Sequence, residues 1–130
     1  MIDLAPGILE ALRAEADRAA PLECCGLLLG SANRVEAIRP AANVADDPRT
    51  RFEIDPRALI EAWRAERTDG PVLLGFYHSH PGGPARPSAT DQALAPRDGR
   101  IWAIVGDGGT TFWRDGEDGF QPLSTRPLEG

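Results

Sequence analysis

The sequence lacks the features that a membrane, secreted or nucleic-acid-binding protein needs. It has no apolar run near the roughly 18 residues of a membrane span. Its amino terminus has no basic start followed by a long apolar stretch, as a secretory signal would have. The net charge is −6 and the basic residues are scattered, so the electrostatic footprint of a nucleic-acid-binding surface is missing. We therefore expect a cytoplasmic protein that binds neither membranes nor nucleic acids.

Cysteine is also scarce. The two cysteines, Cys24 and Cys25, are adjacent and begin an apolar stretch that ends at Gly30. This spacing is neither a disulfide framework nor a C-x-x-C motif. Free cysteines are usually buried as small hydrophobic residues, and we favour that interpretation here. Because Glu23 precedes the pair, a minor role in shaping a site beside Glu23 stays open.

The length of 130 residues gives room for one domain with one hydrophobic core. We place this domain at residues 1–123 and expect residues 124–130 to be a frayed tail. Helical and strand-like apolar patterns alternate along the first part of the chain, and strands joined by short turns follow. The pattern predicts an α/β or α+β fold, with a mixed sheet flanked by helices.

Three helices are predicted from apolar spacing and punctuation. The first spans residues 8–19 and ends before Pro21. The second begins at Pro56, with Asp55 as its N-cap, and the third spans residues 88–94. The apolar face of the second helix is expected to consist of Leu59, Ile60 and Trp63.

Seven strands are predicted from short apolar runs bounded by turn residues. They span residues 24–30, 35–39, 52–54, 72–77, 101–105, 110–113 and 120–123. The polar segment 41–51 is expected to be a mobile loop. All three tryptophans are expected in the core or on a sheet face: Trp63, Trp102 and Trp113.

Two histidines, His78 and His80, follow the apolar strand of residues 72–77. Because side chains alternate along a strand, both imidazoles face one side and can converge on one ion. Ser79 is expected to face the other side and to bond with the local backbone, and Pro81 to end the strand. H-x-H alone is a weak indication of a metal site, because motifs of this kind need their structural context.

Ser88 and Asp91 follow the histidines at the start of the third helix. S-x-x-D is typical of a capping box, in which the serine caps the helix and the acid at the third helical position accepts a hydrogen bond from the serine N–H. The pattern is also compatible with a metal site, because a capped helix start fixes the Asp91 carboxylate as a third ligand. Two imidazoles and one carboxylate leave a fourth tetrahedral position for water, as in catalytic zinc sites.

Glu23 lies just before the strand of residues 24–30. It is either a solvated loop acid or a catalytic one. If this strand is the neighbour of the histidine strand, Glu23 can accept a proton from a zinc-activated water and hand it to the leaving amine.

Together, Glu23, the H-S-H-P string at 78–81, Ser88 and Asp91 resemble the JAMM motif of the MPN-positive zinc metalloproteases, E…H-S/T-H-P…S-x-x-D. The match covers most of residues 1–115, and the chain is similar to small bacterial stand-alone members of the family. The resemblance implies a cytidine-deaminase-like α/β core. It also implies hydrolysis of peptide or isopeptide bonds after the Gly-Gly tail of a ubiquitin-like sulfur-carrier protein.

The resemblance further implies a role for each site residue. His78, His80 and Asp91 would bind Zn²⁺, Glu23 would act as general acid and base, and Ser88 would help to hold the oxyanion. Nine residues separate Asp91 from Ile101, too few for the insertion with which eukaryotic deubiquitinating relatives grip a second ubiquitin. We expect a narrow groove beside the catalytic strand that admits only glycines, where an extended tail adds as an edge strand.

Three alternatives compete with this interpretation. A non-catalytic MPN scaffold would typically lack ligand residues, and all of them are present here. A zinc deaminase would need H-x-E and P-C-x-x-C, and neither string occurs. A peptidase acting on an unrelated peptide would be favoured by an export signal or a wall-binding module.

Overall fold

The computed structural model describes residues 1–129, and Gly130 lies outside that range. Within it the elements follow in the order β1 (Ile2–Leu4), α1 (Ile8–Ala19), β2 (Cys25–Ser31), β3 (Arg34–Ala41), α2 (Pro56–Arg67), β4 (Val72–Pro84), α3 (Ala89–Leu94), β5 (Ile101–Asp107), β6 (Gly109–Gly116), β7 (Gly119–Leu123) and β8 (Thr125–Pro127). None of the helices in residues 1–129 has the length and apolarity to cross a membrane.

The strands form one mixed sheet in the order β7-β6-β5-β4-β2-β3-β1-β8. β4, which carries both histidines, lies between antiparallel β2 and parallel β5. In this register His78 is opposite Cys25 on one side and Ile104 on the other. Two hydrogen-bonded neighbours therefore fix β4 at His78, and His80 follows just beyond the paired positions.

Helices cover both faces of this sheet, as the sequence predicts. On one face α1 packs against a cluster that includes Leu28 and Tyr77. On the other face, α2 packs against a cluster that includes Leu27 and Phe76. Alternation along β4 therefore places Tyr77 on the α1 face and both histidines on the α2 face.

Local sequence signals set the starts of the first two helices. Gly7 precedes α1 with a φ of 86°, a conformation that suits a residue without a Cβ. The Asp55 carboxylate accepts a hydrogen bond from the Arg57 N–H at 3.0 Å, and Pro56 is the first residue of α2. The predicted start of α2 is confirmed.

Two strand predictions were wrong. Residues 52–54 form no strand, and only Ile54 makes an isolated bridge, with Asn43. Pro81 does not end β4, which continues to Pro84. β2 begins opposite His78, so β4 has no β2 partner at Pro81, and the missing N–H of proline loses no bond to β2 there.

The predicted tail was also wrong in part. Thr125–Pro127 forms β8, which pairs in parallel with β1, a strand the sequence did not reveal. Both strands are three residues long, too short to give a periodic signal. The Arg126 guanidinium adds two hydrogen bonds of 3.0 Å to the Asp3 carboxylate.

The apolar face predicted for α2 is confirmed for Leu59, which packs against the core, and is wrong for the other two residues. Ile60 is 44% exposed and Trp63 is 43% exposed, whereas Ala62 is buried. α2 approaches the sheet through Ala62 and Ala58, whose small side chains allow close packing. The core prediction is therefore wrong for Trp63, although it is confirmed for Trp102, which is buried.

Candidate metal centre

The pairing of β2 with β4 brings Glu23 beside the two histidines. Potential ligand atoms of Glu23, His78 and His80 all lie within 4.8 Å of one another. Glu23 is only 6% exposed, so it is not a solvated loop acid. Its backbone is held on both sides, since its N–H donates to the Pro48 carbonyl at 2.8 Å and its carbonyl accepts from Asn43 Nδ2 at 3.0 Å.

The start of α3 fixes the Asp91 carboxylate. Ser88 Oγ accepts a hydrogen bond from the Asp91 N–H at 3.0 Å, and Asp91 Oδ2 accepts one from the Ser88 N–H at 2.9 Å. These reciprocal bonds are the predicted capping box. Asp91 is buried, and its carboxylate points toward the histidines.

Three potential ligand atoms converge at one point. The Nε2 atoms of His78 and His80 are 3.1 Å apart, and each is 3.1 Å from Asp91 Oδ2. Hydrogen bonds alone cannot account for all three of these short distances, because each N–H points at one acceptor. A bound cation does account for them, since tetrahedral ligands at 2.0–2.1 Å from a metal are about 3.3 Å apart. The donor set therefore fits a metal ion.

Two carboxylates are near the imidazoles, and Asp91 is the better placed as a ligand. Its Oδ2 is at hydrogen-bond distance from both Nε2 atoms. Within residues 1–129, Glu23 Oε1 is buried without a hydrogen-bond partner. A carboxylate oxygen that is buried yet unpartnered is available for proton transfer beside the ligand set.

The surroundings orient both imidazoles. His80 Nδ1 lies 2.9 Å from the Pro84 carbonyl oxygen, so Nδ1 carries the proton and the Nε2 lone pair faces the other ligand atoms. The ring of His78 stacks on Phe52, with centroids 4.3 Å apart, and meets Trp102 edge-on at 5.5 Å. Phe52 and Trp102 reach His78 from segments far apart in the chain, so the sequence gives no sign of either contact. Pro84 is only four residues from His80, but its contact depends on the backbone path between them.

Burial and neighbouring charges set the ionisation of these groups. Burial raises the pKa of Glu23 to about 7, with smaller contributions from the charges of Asp91 and Asp47 and an opposing one from His80. Burial lowers the pKa of His78. Burial alone would raise the pKa of Asp91, but its hydrogen bonds with the two histidines outweigh burial and hold the pKa well below its usual range. Neutral imidazole and ionised carboxylate are the forms that bind metals.

The residues between and beside the ligands have structural roles. Ser79 faces away from the histidines, and its Oγ accepts a hydrogen bond from the Cys24 N–H at 2.8 Å, as predicted. Cys24 and Cys25 are buried, which confirms their prediction as small hydrophobic residues. Burial raises the pKa of both thiols and so keeps them protonated.

Two open depressions flank the centre. The apolar groove, about 740 Å³, borders Asp91 and is lined mainly by hydrophobic side chains: Phe52, Ile54, Leu59, Phe76, Leu94 and Trp102. The polar cleft, about 460 Å³, is lined by three members of the site together with two arginines: Glu23, His80, Ser88, Arg49 and Arg86. β2 pairs with β4 as far as His78 and β5 as far as Ser79, so within residues 1–129 the segment 80–83 of β4 has no strand partner, and the expected strand addition of the tail stays a prediction.

Comparison with known sequences identifies relatives. The chain is 38% identical over 125 residues to a desampylase of Haloferax volcanii, covering 94% of this chain and 90% of that protein. It is 46% identical over 85 residues to a probable TtuB-protein conjugate cleaving protease of Thermus thermophilus, covering 65% of this chain and 57% of that one. It is 33% identical over 100 residues to a CysO-cysteine peptidase of Mycobacterium tuberculosis, covering 75% and 68% of the two chains.

Comparison with solved structures agrees with these relatives. The fold matches a solution structure of a Desulfitobacterium hafniense protein with a TM-score of 0.87 and 33% identity, over 100% of this chain and 94% of that one. It also matches a JAB1/MPN domain protein of Archaeoglobus fulgidus with a TM-score of 0.67 and 20% identity, over 99% and 98% of the two chains, and this second match concerns the fold alone. The model of a family described as prokaryotic homologs of the JAB domain matches residues 6–116. These matches confirm the resemblance drawn from the sequence, and the chain belongs to the prokaryotic homologs of the JAB domain.

Proposed function

We propose that this protein is a zinc-dependent peptidase that hydrolyses the peptide or isopeptide bond after the Gly-Gly tail of a ubiquitin-like sulfur-carrier protein. The observation that carries the proposal is the convergence of two imidazoles and one carboxylate, 3.1 Å apart, beside a buried and unpartnered glutamate. Relatives named as a desampylase, a TtuB-protein conjugate cleaving protease and a CysO-cysteine peptidase support this choice of substrate.

The ligands in this proposal are His78, His80 and Asp91. Two nitrogen donors and one carboxylate oxygen are a set typical of catalytic zinc. When bound, zinc supplies a Lewis acid that lowers the pKa of a water to about 7. The chain contributes the geometry: a central strand presents the imidazoles, and a capped helix start presents the carboxylate.

Glu23 is the proposed general acid and base. Its carboxylate is next to the ligand set, and its raised pKa of about 7 suits a group that must take up and release a proton near neutral pH. It takes a proton from the attacking water and later delivers that proton to the leaving amine. Since Oε1 has no hydrogen bond within residues 1–129, no existing interaction has to break first.

Ser88 is the proposed oxyanion donor. Its Oγ already accepts the hydrogen bond of the Asp91 N–H at 3.0 Å. A hydroxyl that accepts one bond still has its own proton to donate. The capping role and the catalytic role are therefore compatible, and a donor aimed at developing negative charge lowers a barrier by roughly 3 kcal/mol.

The apolar groove is the proposed site for the carrier's tail. It borders Asp91 and lies between the segment that contains Phe52 and the helix that contains Leu94. Its apolar lining suits the residues that precede the two glycines. In this proposal the tail lies along the loop before α2, and strand addition is left to residues 80–83 of β4, where neither β2 nor β5 pairs with it.

The test is intact-mass analysis of a ubiquitin-like sulfur carrier extended past its Gly-Gly end. The samples are zinc-loaded protein, chelated protein, and the Glu23→Gln variant with its matched control Glu36→Gln, which changes an exposed glutamate on β3. We expect cleavage after Gly-Gly with the zinc-loaded protein and with the Glu36→Gln control, and no cleavage with the chelated protein or the Glu23→Gln variant. Bound zinc without cleavage would refute the substrate, and absence of bound zinc would refute the metal assignment.

A second substrate tests how narrow the path to the metal is. Replacement of the carrier's penultimate glycine with a bulky residue is expected to abolish cleavage, because a side chain there would have to pass the site walls. The mass of the same extended carrier reports the result directly. Undiminished turnover would show that the tail does not require glycine at that position.

A further inference from the structure

The polar cleft contains two positive charges that the proposed mechanism does not use. Arg49, in the loop before α2, and Arg86, in the connection from β4 to α3, line the cleft together with Glu23. Both side chains belong to exposed residues. The protein as a whole carries a charge of −6, so two guanidinium groups beside the acidic centre oppose the general charge balance.

Neither guanidinium is engaged within the part of the chain that the structure describes. Other arginines there form ion pairs, for example Arg51 with Asp46 and Arg100 with Asp98. Arg49 and Arg86 use their backbone groups instead: the Arg49 N–H donates to Asp47 Oδ1 at 3.3 Å and the Arg86 N–H donates to the Pro84 carbonyl at 2.9 Å. The backbone of both residues is thus held at the cleft, and their charged ends have no side-chain partner within residues 1–129.

In the proposed mechanism, the polar cleft would hold the leaving group. Glu23 has to deliver a proton to the leaving nitrogen, so that nitrogen must lie within hydrogen-bond reach of the Glu23 carboxylate. Glu23 lines the polar cleft, whereas Asp91 lines the apolar groove. In the proposed function, the carrier's tail would therefore lie in the apolar groove and the departing amine in the polar cleft.

We propose that Arg49 and Arg86 bind the free α-carboxylate of a single amino acid that is joined to the carrier's tail. This inference rests on the proposed function and names its preferred substrate: a peptide bond to one carboxyl-terminal amino acid. The α-carboxylate of such a residue is two bonds from the scissile nitrogen. An isopeptide-linked lysine side chain presents only methylene groups there, and a longer peptide presents an amide.

Charge explains why such a substrate needs the two arginines. The Glu23 carboxylate repels a second carboxylate nearby, and guanidinium groups offset that repulsion and hydrogen-bond to it in pairs. In the reaction, the C–N bond breaks and the water oxygen bonds to the carbonyl carbon. The nitrogen takes up the proton that Glu23 carries, and the released amino acid leaves with its carboxylate still bound by the arginines.

The test compares two forms of one carrier that ends in Gly-Gly-Ala, one with a free carboxylate and one with a carboxamide. The readout is the ratio of kcat/KM for acid over amide, measured with the zinc-loaded protein. For the unaltered protein we expect the acid to be preferred by about tenfold, the size of one charge-assisted hydrogen bond. The double variant R49Q/R86Q is expected to lower the ratio toward one.

The matched control is Arg34→Gln, because Arg34 is at the end of β3 opposite Ser31, the far end of that strand pair from the histidines. This variant should keep the ratio of the unaltered protein. A ratio near one in the unaltered protein would overturn the inference, and so would an undiminished ratio in the double variant. In either case, cleavage of both carriers would still support the proposed peptidase activity. Cleavage of neither carrier would overturn the proposed function and this inference with it.

Discussion

Replacing Glu23 with glutamine is expected to stabilise the metal-free protein while abolishing its activity. Burial raises the pKa of the Glu23 carboxyl from the ordinary value of 4.5 to about 7. A carboxyl whose pKa is raised in the folded state favours the protonated form of that state. It therefore weakens folding at any pH at which it must be ionised. Glutamine has nearly the same shape and no charge to bury.

The size of the effect follows from the pKa. The difference between 4.5 and about 7 corresponds to at most about 3 kcal/mol. The buried amide also loses its hydration, so we expect a net gain of about 1–2 kcal/mol in the free energy of unfolding. In a domain of this size that gain raises Tm by roughly 5 °C.

The raised pKa of Glu23 also predicts how the free energy of unfolding changes with pH. Between pH 4.5 and 7 the folded state holds a proton on Glu23 that the unfolded state has released, so the stability of the unaltered protein falls as pH rises. The difference between the variant and the unaltered protein should be largest above pH 7 and should vanish below pH 4.5. Urea unfolding with chelator present measures the difference at pH 8, where it should be complete, and at pH 5, where most of it should be gone.

The activity and the control complete this prediction. Loss of the general base should lower kcat by about 10²–10⁴-fold while zinc binding persists. Glu36→Gln, which removes an exposed carboxylate, should change neither stability nor activity. If Glu23→Gln were no more stable at pH 8, or if its advantage persisted unchanged at pH 5, the argument from burial would be wrong.

Three further substitutions test the ligand set and the strands that hold it. Asp91→Asn should retain the helix cap but lose bound zinc, as measured by metal analysis after dialysis, and full zinc occupancy would contradict its assignment as a ligand. Ser79→Ala should lower the free energy of unfolding by about 1–3 kcal/mol, because the buried Cys24 N–H loses its acceptor; urea titration with unaltered stability would show that another group replaces it. Gly75→Ala should prevent stable folding, because its Cβ would meet the backbone of Ile101, and a cooperative thermal transition near that of the unaltered protein would contradict this.

The parts of the site that could be predicted from the sequence are those that local rules determine. Strand alternation placed His78 and His80 on one side, and it turned Ser79 toward the backbone of β2. The capping-box pattern fixed Ser88 relative to Asp91. Each of these relations involves residues within three positions of one another, or the two faces of one strand, so the backbone geometry alone is sufficient.

The parts that could not be predicted depend on contacts between distant segments. Phe52 stacks on His78, and Trp102 meets the same ring edge-on, yet neither contact has a signature in the chain. The exposure of Trp63 has the same origin. Apolar spacing shows that a helix has a hydrophobic face, but the packing of α2 through its alanines decides which face is covered.

The residues to which we assign the chemistry and those to which we assign substrate selection lie in different kinds of structure. His78 lies where β4 is paired on both sides, and Asp91 lies in a capped helix start, so hydrogen bonds to the main chain fix both residues. His80 follows His78 by two residues, and its ring is held by the Pro84 carbonyl. Arg49 and Arg86 lie in irregular connections, and no side-chain partner within residues 1–129 restrains their charged ends. Substitution in such connections leaves the sheet intact. The centre can therefore stay constant while the leaving group changes, and we expect the arginine positions rather than the ligand positions to determine which amine is released.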